Sequence, residues 1–437
     1  MNLKSSSWIY NFRWLAIPFL LVLMHLFSCS ASDKNEDVND FDRKANMLIR
    51  DWYQLYFKIE ERDTSSFPVL SARNAARLSM TILSVYLEFE DAFSAQQPIA
   101  LKTLNMAYYM AMSDLYKDYK VTQFDDWIKE HFNKVETTLH VNDAIDKQCI
   151  SEIIHKVNSI FEKAEHLAEK EQMVPSNYVP IRFRYDDRTS ILKKWGENPT
   201  IVVDKSKINL EPPYSDHLNL EKALYDESLS VYTQSLQLTS EDKWIGDFWS
   251  DDVRGLTFTP ISRWLNITDG ILATSPMPFE KVIKLYNDLS IALYDGSVIC
   301  WRYKFTYNLL RPENFINKFI DTRWRAMHHP DFPSYPSGHS VFGSAAVAVL
   351  EFYFGNNREV VDDSHQGRRE FFGEPRKFKN LEAMAKENAY SRFLIGVHYL
   401  NDCEKGMELG RKIGEEIAGY SDRYINSTTT HKLNCEE

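Results

Sequence analysis

Three short segments in the last third of this 437-residue chain carry side chains whose types and spacing could hold an anion and move a proton. The first is Lys304-Phe305-Thr306-Tyr307-Asn308-Leu309-Leu310-Arg311-Pro312. Lys304 and Arg311 are seven residues apart, two turns of a continuous helix, and would then share one face. Pro312 disfavours helix continuation past Arg311. Two cations facing one way suggest an anion, with a solvated basic face as the plainer alternative. The second segment is Pro333-Ser334-Tyr335-Pro336-Ser337-Gly338-His339-Ser340, read as a loop running into a helix. A helix N-terminus offers N–H groups and a positive dipole end. Gly338 lets backbone approach a ligand closely, Ser337 adds a hydroxyl donor, and His339 stands where it could give or take a proton. Taken alone, this is equally an ordinary capped helix. The third segment is Ser391-Arg392-Phe393-Leu394-Ile395-Gly396-Val397-His398-Tyr399-Leu400-Asn401-Asp402. His398 and Asp402 are four apart, which predicts a shared helix face. There the carboxylate could hold one imidazole nitrogen and leave the other as a nucleophile or oxyanion ligand. A structural His/Asp pair is the commoner meaning of that spacing by itself.

The patterns Lys-x6-Arg-Pro, Pro-Ser-Gly-His and Ser-Arg-x5-His-x3-Asp occur complete and in this order. Together they resemble the three-part signature of the phosphatidic-acid phosphatase type 2 / vanadium haloperoxidase superfamily. The resemblance implies an all-α helical bundle whose three segments converge on one tetrahedral oxyanion, phosphate or vanadate. Position by position, it implies that Lys304, Arg311 and Arg392 neutralise equatorial oxygens and that Ser337 and the Gly338 amide donate to them. His398 would bond to the phosphorus or vanadium, His339 would be the acid/base on the opposite side, and Asp402 would orient His398. Further segments are similar to the vanadium haloperoxidase branch. They are Asp295 to Lys304 with Trp301 three before the lysine, Phe332-Pro333-Ser334-Tyr335-Pro336, Phe248-Trp249-Ser250-Asp251-Asp252, Thr259-Pro260 and Trp264. This similarity covers about Asp247 to Gly414. Trp301 and Phe332 are expected at the mouth of the site, where a second substrate arrives.

That branch implies an enzyme that keeps vanadate on His398 and oxidises halide with peroxide. The same cage suits a phosphatase without a cofactor, acting on phosphate esters through a phosphohistidine at His398. A catalytically silent surface-binding lipoprotein on the same scaffold is the third reading. Buried cations without a ligand are costly, which weighs against it.

The elements that must position these residues are helical. Gly 15 and Pro 16 are low counts for this length, and few breakers favour long helices. Residues 42–171 read as an N-terminal helical region, with Ala72, Ala75, Ala76, Met80, Leu83 and Leu87 at helical spacing. Residues 172–216 gather Pro175, Pro180, Pro199, Pro212 and Pro213 into a Pro-rich irregular connection, with Ile201-Val202-Val203 as a strand-like run. Such a connection either covers the site or makes a surface excursion. Residues 217–425 are expected to form the catalytic helical region and 426–437 a polar tail.

The formal net charge of -11 argues against a nucleic-acid partner but does not exclude a local cationic pocket. Lys4 and Arg13, then the apolar run Trp14 to Phe27, predict a signal peptide over residues 1–28, too short for a comfortable membrane span. Ser28-Cys29 resembles a lipoprotein cleavage box, with Cys29 the lipidated residue and 29–41 a polar tether. The chain is thus expected to be exported and held at the outer membrane, periplasm or cell surface by its lipid anchor only. Cys149, Cys300, Cys403 and Cys435 could pair in three ways or remain free thiols.

Overall fold

A computed structural model of the chain describes residues 38–119, 121–139, 144–167, 184–185, 190, 192–215, 219–251, 253–368 and 372–427. The expected signal peptide, Cys29 and Cys435 lie outside the described residues. Among the described residues the chain is all-α apart from one small strand pair. The N-terminal helices are α1 (Asp40–Arg62), α2 (Pro68–Glu88), α3 (Glu90–Ala95), α4 (Gln97–Tyr116), α5 (Thr122–Leu139) and α6 (Lys147–Leu167). After the connection come α7 (Leu220–Ser235), α8 (Ser240–Phe248), α9 (Pro260–Thr274), α10 (Phe279–Tyr307) and α11 (Pro312–Phe319). The last are α12 (Gly338–Phe354), α13 (Leu381–Leu394), α14 (Leu400–Ile417) and α15 (Tyr420–Ser427). β1 (Val360–Asp362) and β2 (Arg376–Phe378) pair antiparallel with Val360 opposite Phe378.

Local sequence explains where helices begin. Asn39 closes a capping box with Asp42 at the start of α1, and proline occupies the first turn of α2, α9 and α11, where no N–H is needed. α10 is the axis of the molecule, 29 residues long and buried along most of its length. Its N-terminal half packs on the early helices: Tyr53 of α1 stacks on Tyr286 at 3.9 Å, and Phe279 packs on Phe41 and Phe93. One apolar core therefore spans the early and late helices, and Val38–Glu437 forms a single unit. Close approach of α12 and α14 depends on Gly406, Gly410 and Gly414, spaced along one face. A Cβ on Gly410 would lie 2.2 Å from the Val341 carbonyl oxygen, and one on Gly406 would lie 2.7 Å from that of Ser337. This contact seats the start of α12 against the start of α14, where two of the three motif segments meet. Cys300 and Cys403 are buried free thiols, and Cys149 is disulfide-bonded.

Three local expectations are corrected. Ile201-Val202-Val203 forms bends, not a strand. Its three N–H groups donate instead to the buried Asp295 carboxylate of α10, at 2.7, 2.9 and 3.0 Å, which uses the donors that a strand partner would need. Burial pushes the Asp295 carboxyl up to about 6. With Trp195 donating to Ser297 and Tyr303 to the Ile208 carbonyl, residues 192–215 are tied along α10. Secondly, Lys304 and Arg311 do not share a helix. Asn308 adopts a left-handed conformation, φ 50°, that ends α10, and Arg311 is the residue preceding α11. Thirdly, His398 and Asp402 do not share a helix face. α13 stops at Leu394, Gly396 turns the chain at φ 77°, and α14 begins at Leu400. Only Asp402 is helical, so the pair meets across a helix N-terminus.

Candidate oxyanion site

The turn after α10 lays Pro333-Ser334-Tyr335-Pro336 between the two cations of the first motif, with the Ser334 N–H donating to the Leu309 carbonyl at 2.9 Å. The Lys304 ammonium donates to the carbonyls of Pro333, Ser334 and Pro336 at 3.0, 3.0 and 2.6 Å. Those three bonds match its three donors, so this fully buried lysine fixes the loop that leads to Ser337. Burial lowers its pKa. Arg311 donates from Nε to the Phe332 carbonyl at 2.9 Å and from Nη1 to that of Val397 at 2.8 Å. The same Nη1 lies 3.2 Å from Nε2 of His398.

His398 is held from its other nitrogen. Asp402 Oδ2 accepts from Ser334 Oγ at 2.5 Å and from the Tyr399 N–H at 3.2 Å, and it lies 3.1 Å from His398 Nδ1. A carboxylate oxygen facing Nδ1 selects the tautomer protonated there, which leaves the lone pair on Nε2. Burial first, then the charges of Arg311 and Lys304, holds the imidazole well below its ordinary range and therefore neutral. Burial pushes the Asp402 carboxyl up, against the pull of the Ser334 hydrogen bond and Lys304.

Ser337 caps α12, accepting from the Ser340 N–H, while its own N–H donates to the Asp402 carbonyl at 3.0 Å. Gly338 and His339 thus open α12, the end that presents N–H groups. His339 is buried and pushed well below its ordinary range by burial, then by Arg392. Arg392, at the end of α13, donates from Nε to Ser391 Oγ at 2.9 Å and from Nη2 to the Trp249 carbonyl. These groups meet: Arg311, Gly338, His339, Arg392 and His398 line one small cavity of about 30 Å³, walled also by Trp301 and Phe332. Trp301 is buried with its ring 5.0 Å from that of Phe332. Lys304, Ser337 and Asp402 stand behind this wall and fix the groups that form it.

A wider vestibule of about 180 Å³ shares Pro68, His328, Pro330 and Phe332 with the small cavity. Its outer side comes from the turn between α1 and α2, which sequence reasoning had read only as helix packing. Phe67 meets Trp301 and Phe332 edge-on at 6.0 and 5.9 Å, completing an aromatic collar. The only sequence sign of it was Pro68, which marks a helix start and says nothing of what lies opposite. Glu60 anchors this turn, accepting from Ser71, Ser262 and Ser66 at 2.5, 3.0 and 3.4 Å, and burial pushes its carboxyl up to about 7. His328 was also missed. It lies outside all three motifs, yet it lines both cavities and bonds through Nε2 to Ser250 Oγ at 3.1 Å. Behind the turn bearing Trp249 and Ser250, the buried Arg263 pairs with Asp251 and Asp362 at 3.0 and 2.9 Å.

The cavity suits a tetrahedral oxyanion by the chemistry of its lining: two guanidinium groups, a helix N-terminus and a neutral imidazole whose Nε2 lone pair faces Arg311 Nη1. A Cβ on Gly338 would meet Trp301 and Phe342 only at 3.5–3.9 Å, so packing does not demand glycine there and a side chain would take space beside the cavity wall. The Trp301 indole N–H is buried with no partner among the described residues.

Comparison with known proteins agrees with the all-helical fold. Residues 284–427 match the VCPO second helical-bundle domain. The chain is 22% identical over 256 residues to a vanadium chloroperoxidase of Curvularia inaequalis and 23% identical over 160 residues to a vanadium-dependent bromoperoxidase of Corallina officinalis. Those matches involve 43% and 33% of this chain and span 42% and 26% of the two relatives, under half the length of either. In fold, the chain is similar to a bacterial vanadium-dependent iodoperoxidase, with TM-score 0.71, 21% identity, and coverage of 87% of this chain and 97% of the other. A bacterial vanadium-dependent chloroperoxidase gives TM-score 0.61 at 14% identity, covering 83% of this chain and 94% of the other. The matched domain, the shared all-helical fold and the order of its motifs agree in likening the chain to the vanadium haloperoxidase / phosphatidic-acid phosphatase type 2 superfamily.

Proposed function

We propose that the protein is a vanadium-dependent haloperoxidase, oxidising halide with hydrogen peroxide. The observation that carries this reading over phosphoryl transfer is the cavity wall beside the cations. Trp301 and Phe332 line the cavity within a collar that Phe67 completes. A weakly hydrated halide suits such an aromatic, weakly polar wall, whereas a phosphate ester must also seat its leaving group. The net reaction consumes one proton: halide, peroxide and H⁺ give hypohalous acid and water. Two electrons pass from halide to a peroxide oxygen as the O–O bond breaks.

His398 Nε2, Arg311, Arg392 and the Gly338 amide are the groups that would hold vanadate. When bound there, it supplies the Lewis-acid centre that activates peroxide. The chain's own groups do the rest. Asp402 keeps the His398 proton on Nδ1, so that Nε2 carries the lone pair, held against Arg311 Nη1 until a ligand takes that place. Ser334, bonded to the same carboxylate oxygen, fixes the carboxylate plane. Lys304 locks the 333–336 loop and adds charge to the site without lining the cavity. His339 is neutral in the resting site and therefore able to take a proton from arriving peroxide and return it to the departing hydroxide. The collar keeps bulk water off these groups.

Export and lipid anchoring at Cys29 belong to the same proposal, and unchanged lipid labelling in C29A cells would remove that part. The reaction itself is tested on purified protein with and without orthovanadate, assayed for halide oxidation and for phosphate release. Vanadate-dependent halide oxidation is the expected result. Phosphate-ester cleavage without vanadate, and no halide oxidation when loaded, would replace this reading with a phosphohistidine enzyme acting through His398.

A further inference from the structure

His328 is the residue that the oxyanion cage leaves unexplained. Besides lining the small cavity and the vestibule, it borders a third cavity of about 270 Å³ that also includes Arg311 and Val397. Every described cavity around the cage therefore touches this one ring. Its hydrogen bonding fixes its tautomer. Ser250 Oγ spends its single proton on the Gly246 carbonyl at 2.8 Å. The 3.1 Å contact with His328 Nε2 must then be donated by the histidine. A neutral ring protonated on Nε2 carries its lone pair on Nδ1. Nδ1 has no partner among the described residues and is not one of the sealed buried atoms. Burial, then the nearby Arg392 and His329, brings this imidazole down to about 4, so it stays neutral where the protein is expected to work.

A neutral acceptor cannot hold a halide, which has no proton to donate and would meet a lone pair. It can hold a small molecule that carries an O–H group. We propose that His328 is the receiving group for hydrogen peroxide, its Nδ1 accepting the O–H of the peroxide as it passes from the vestibule to the cage. This rests on the haloperoxidase reading and divides the approach to the cage in two. The aromatic wall of Trp301 and Phe332 faces the anion, and His328 supplies an acceptor for the protic substrate. Because Ser250 lies on the same turn as Trp249, whose carbonyl holds Arg392, the receiving ring and one cage cation share one support.

Two measurements test the proposal. The first needs no turnover: ¹⁵N-histidine NMR of vanadate-free protein, with the His328 signals assigned by their loss in H328Q. The expected result is an unprotonated Nδ1 whose shift moves on titration with hydrogen peroxide. A ring protonated on Nδ1, or an Nδ1 insensitive to peroxide, overturns the proposal whatever the enzyme does. The second compares vanadate-loaded H328F and H328Q. Loss of one neutral hydrogen bond in H328F should raise the peroxide KM by roughly three- to tenfold. Halide KM and vanadate affinity should hold, and H328Q, which retains an acceptor, should recover most of the loss. An unchanged peroxide KM in H328F, or a parallel loss of vanadate affinity in both variants, also overturns it. Absence of halide oxidation in the loaded wild-type protein is a different failure, that of the haloperoxidase reading, and leaves the NMR result to decide on His328 alone.

Discussion

Arg263 and the pair Arg311 and Arg392 are guanidinium groups buried in the same helical body, and they are supported differently. Arg263 meets carboxylates: Asp362 receives both Nε and Nη2, Asp251 receives Nη1, and His365 lies 2.6 Å from Nη1. Charge is balanced where it is buried, and the cluster joins α9 to the turn after α8 and to β1. Arg311 and Arg392 are oriented by carbonyl oxygens of Phe332, Val397 and Trp249. These carbonyl bonds fix the plane of each guanidinium and carry no counter-charge of their own. The outcome is registered by the nearby histidines, since after burial it is these cations that keep His398 and His339 neutral. One residue type thus serves as a lock in one place and as a standing positive potential in the other. The lock supports the potential, because Asp251 and Trp249 share a turn.

The largest effect that would sharpen this comparison is expected at the ring facing the potential. H398A should retain no vanadate and no turnover, by equilibrium dialysis and by halide oxidation, with the fold intact by circular dichroism. Next comes H339A. It should lose roughly 10²- to 10⁴-fold in kcat, the range of a general acid/base, and should bind vanadate better than H398A does. Equal loss of vanadate binding in the two variants would refute the division of labour between them.

The comparison itself breaks or stands on R263M against R311M. R263M leaves Asp251 and Asp362 buried without their partner and should cost about 3–5 kcal/mol of stability. Most of that cost should be present with and without vanadate alike. R311M should show its deficit chiefly as a loss of the rise in Tm that vanadate confers on the wild-type protein, since a bound ligand stabilises the native state by mass action. If R311M lowers the Tm as much as R263M in vanadate-free buffer, both arginines are locks and the contrast fails.

How much of this was legible before the structure divides along the same line. The motif residues could be read because chemistry restricts their types: Lys and Arg, then Ser-Gly-His, then Arg, His and Asp in that order make the pattern, and Arg311, Gly338, His339, Arg392 and His398 lie around one cavity. Their backbone settings could not be read. Spacing of seven and of four implied continuous helices, but Asn308 and Gly396 end α10 and α13 first, and tertiary contacts bring the side chains together instead. The charge of Lys304 could be read, but its bonds to main-chain carbonyls could not, since these leave no trace in side-chain identity. His328 and Phe67 were silent for another reason. Each reaches the site from a segment with no motif, and a single histidine or phenylalanine in such a segment is ordinarily packing.

The smallest expected effect concerns the collar, and it asks whether the potential alone chooses the substrate. Phe332 has its ring 4.9 Å from the Arg311 guanidinium carbon and 5.2 Å from Lys304 Nζ, with Trp301 and Phe67 against it. The aromatic faces thus lie on the cations, while Phe332 itself borders both cavity and vestibule. Substituting the collar should therefore perturb the approach of halide more than the oxyanion cage. W301F keeps an aromatic ring in place but thins the wall, so it should change the halide KM several-fold with little change in vanadate affinity. F332A removes aromatic pairing worth about 0.5–1.5 kcal/mol and opens the wall. It should shift the ratio of iodide to bromide turnover by up to about tenfold. F67A, acting at the outer edge, should give a weaker shift in the same direction. Halide competition at fixed peroxide measures all three. If vanadate affinity falls in step with halide KM across the series, the collar is part of the cage and the cations do not act alone. If it holds while the halide ratio moves, the cage supplies the charge and the aromatic wall selects the ion.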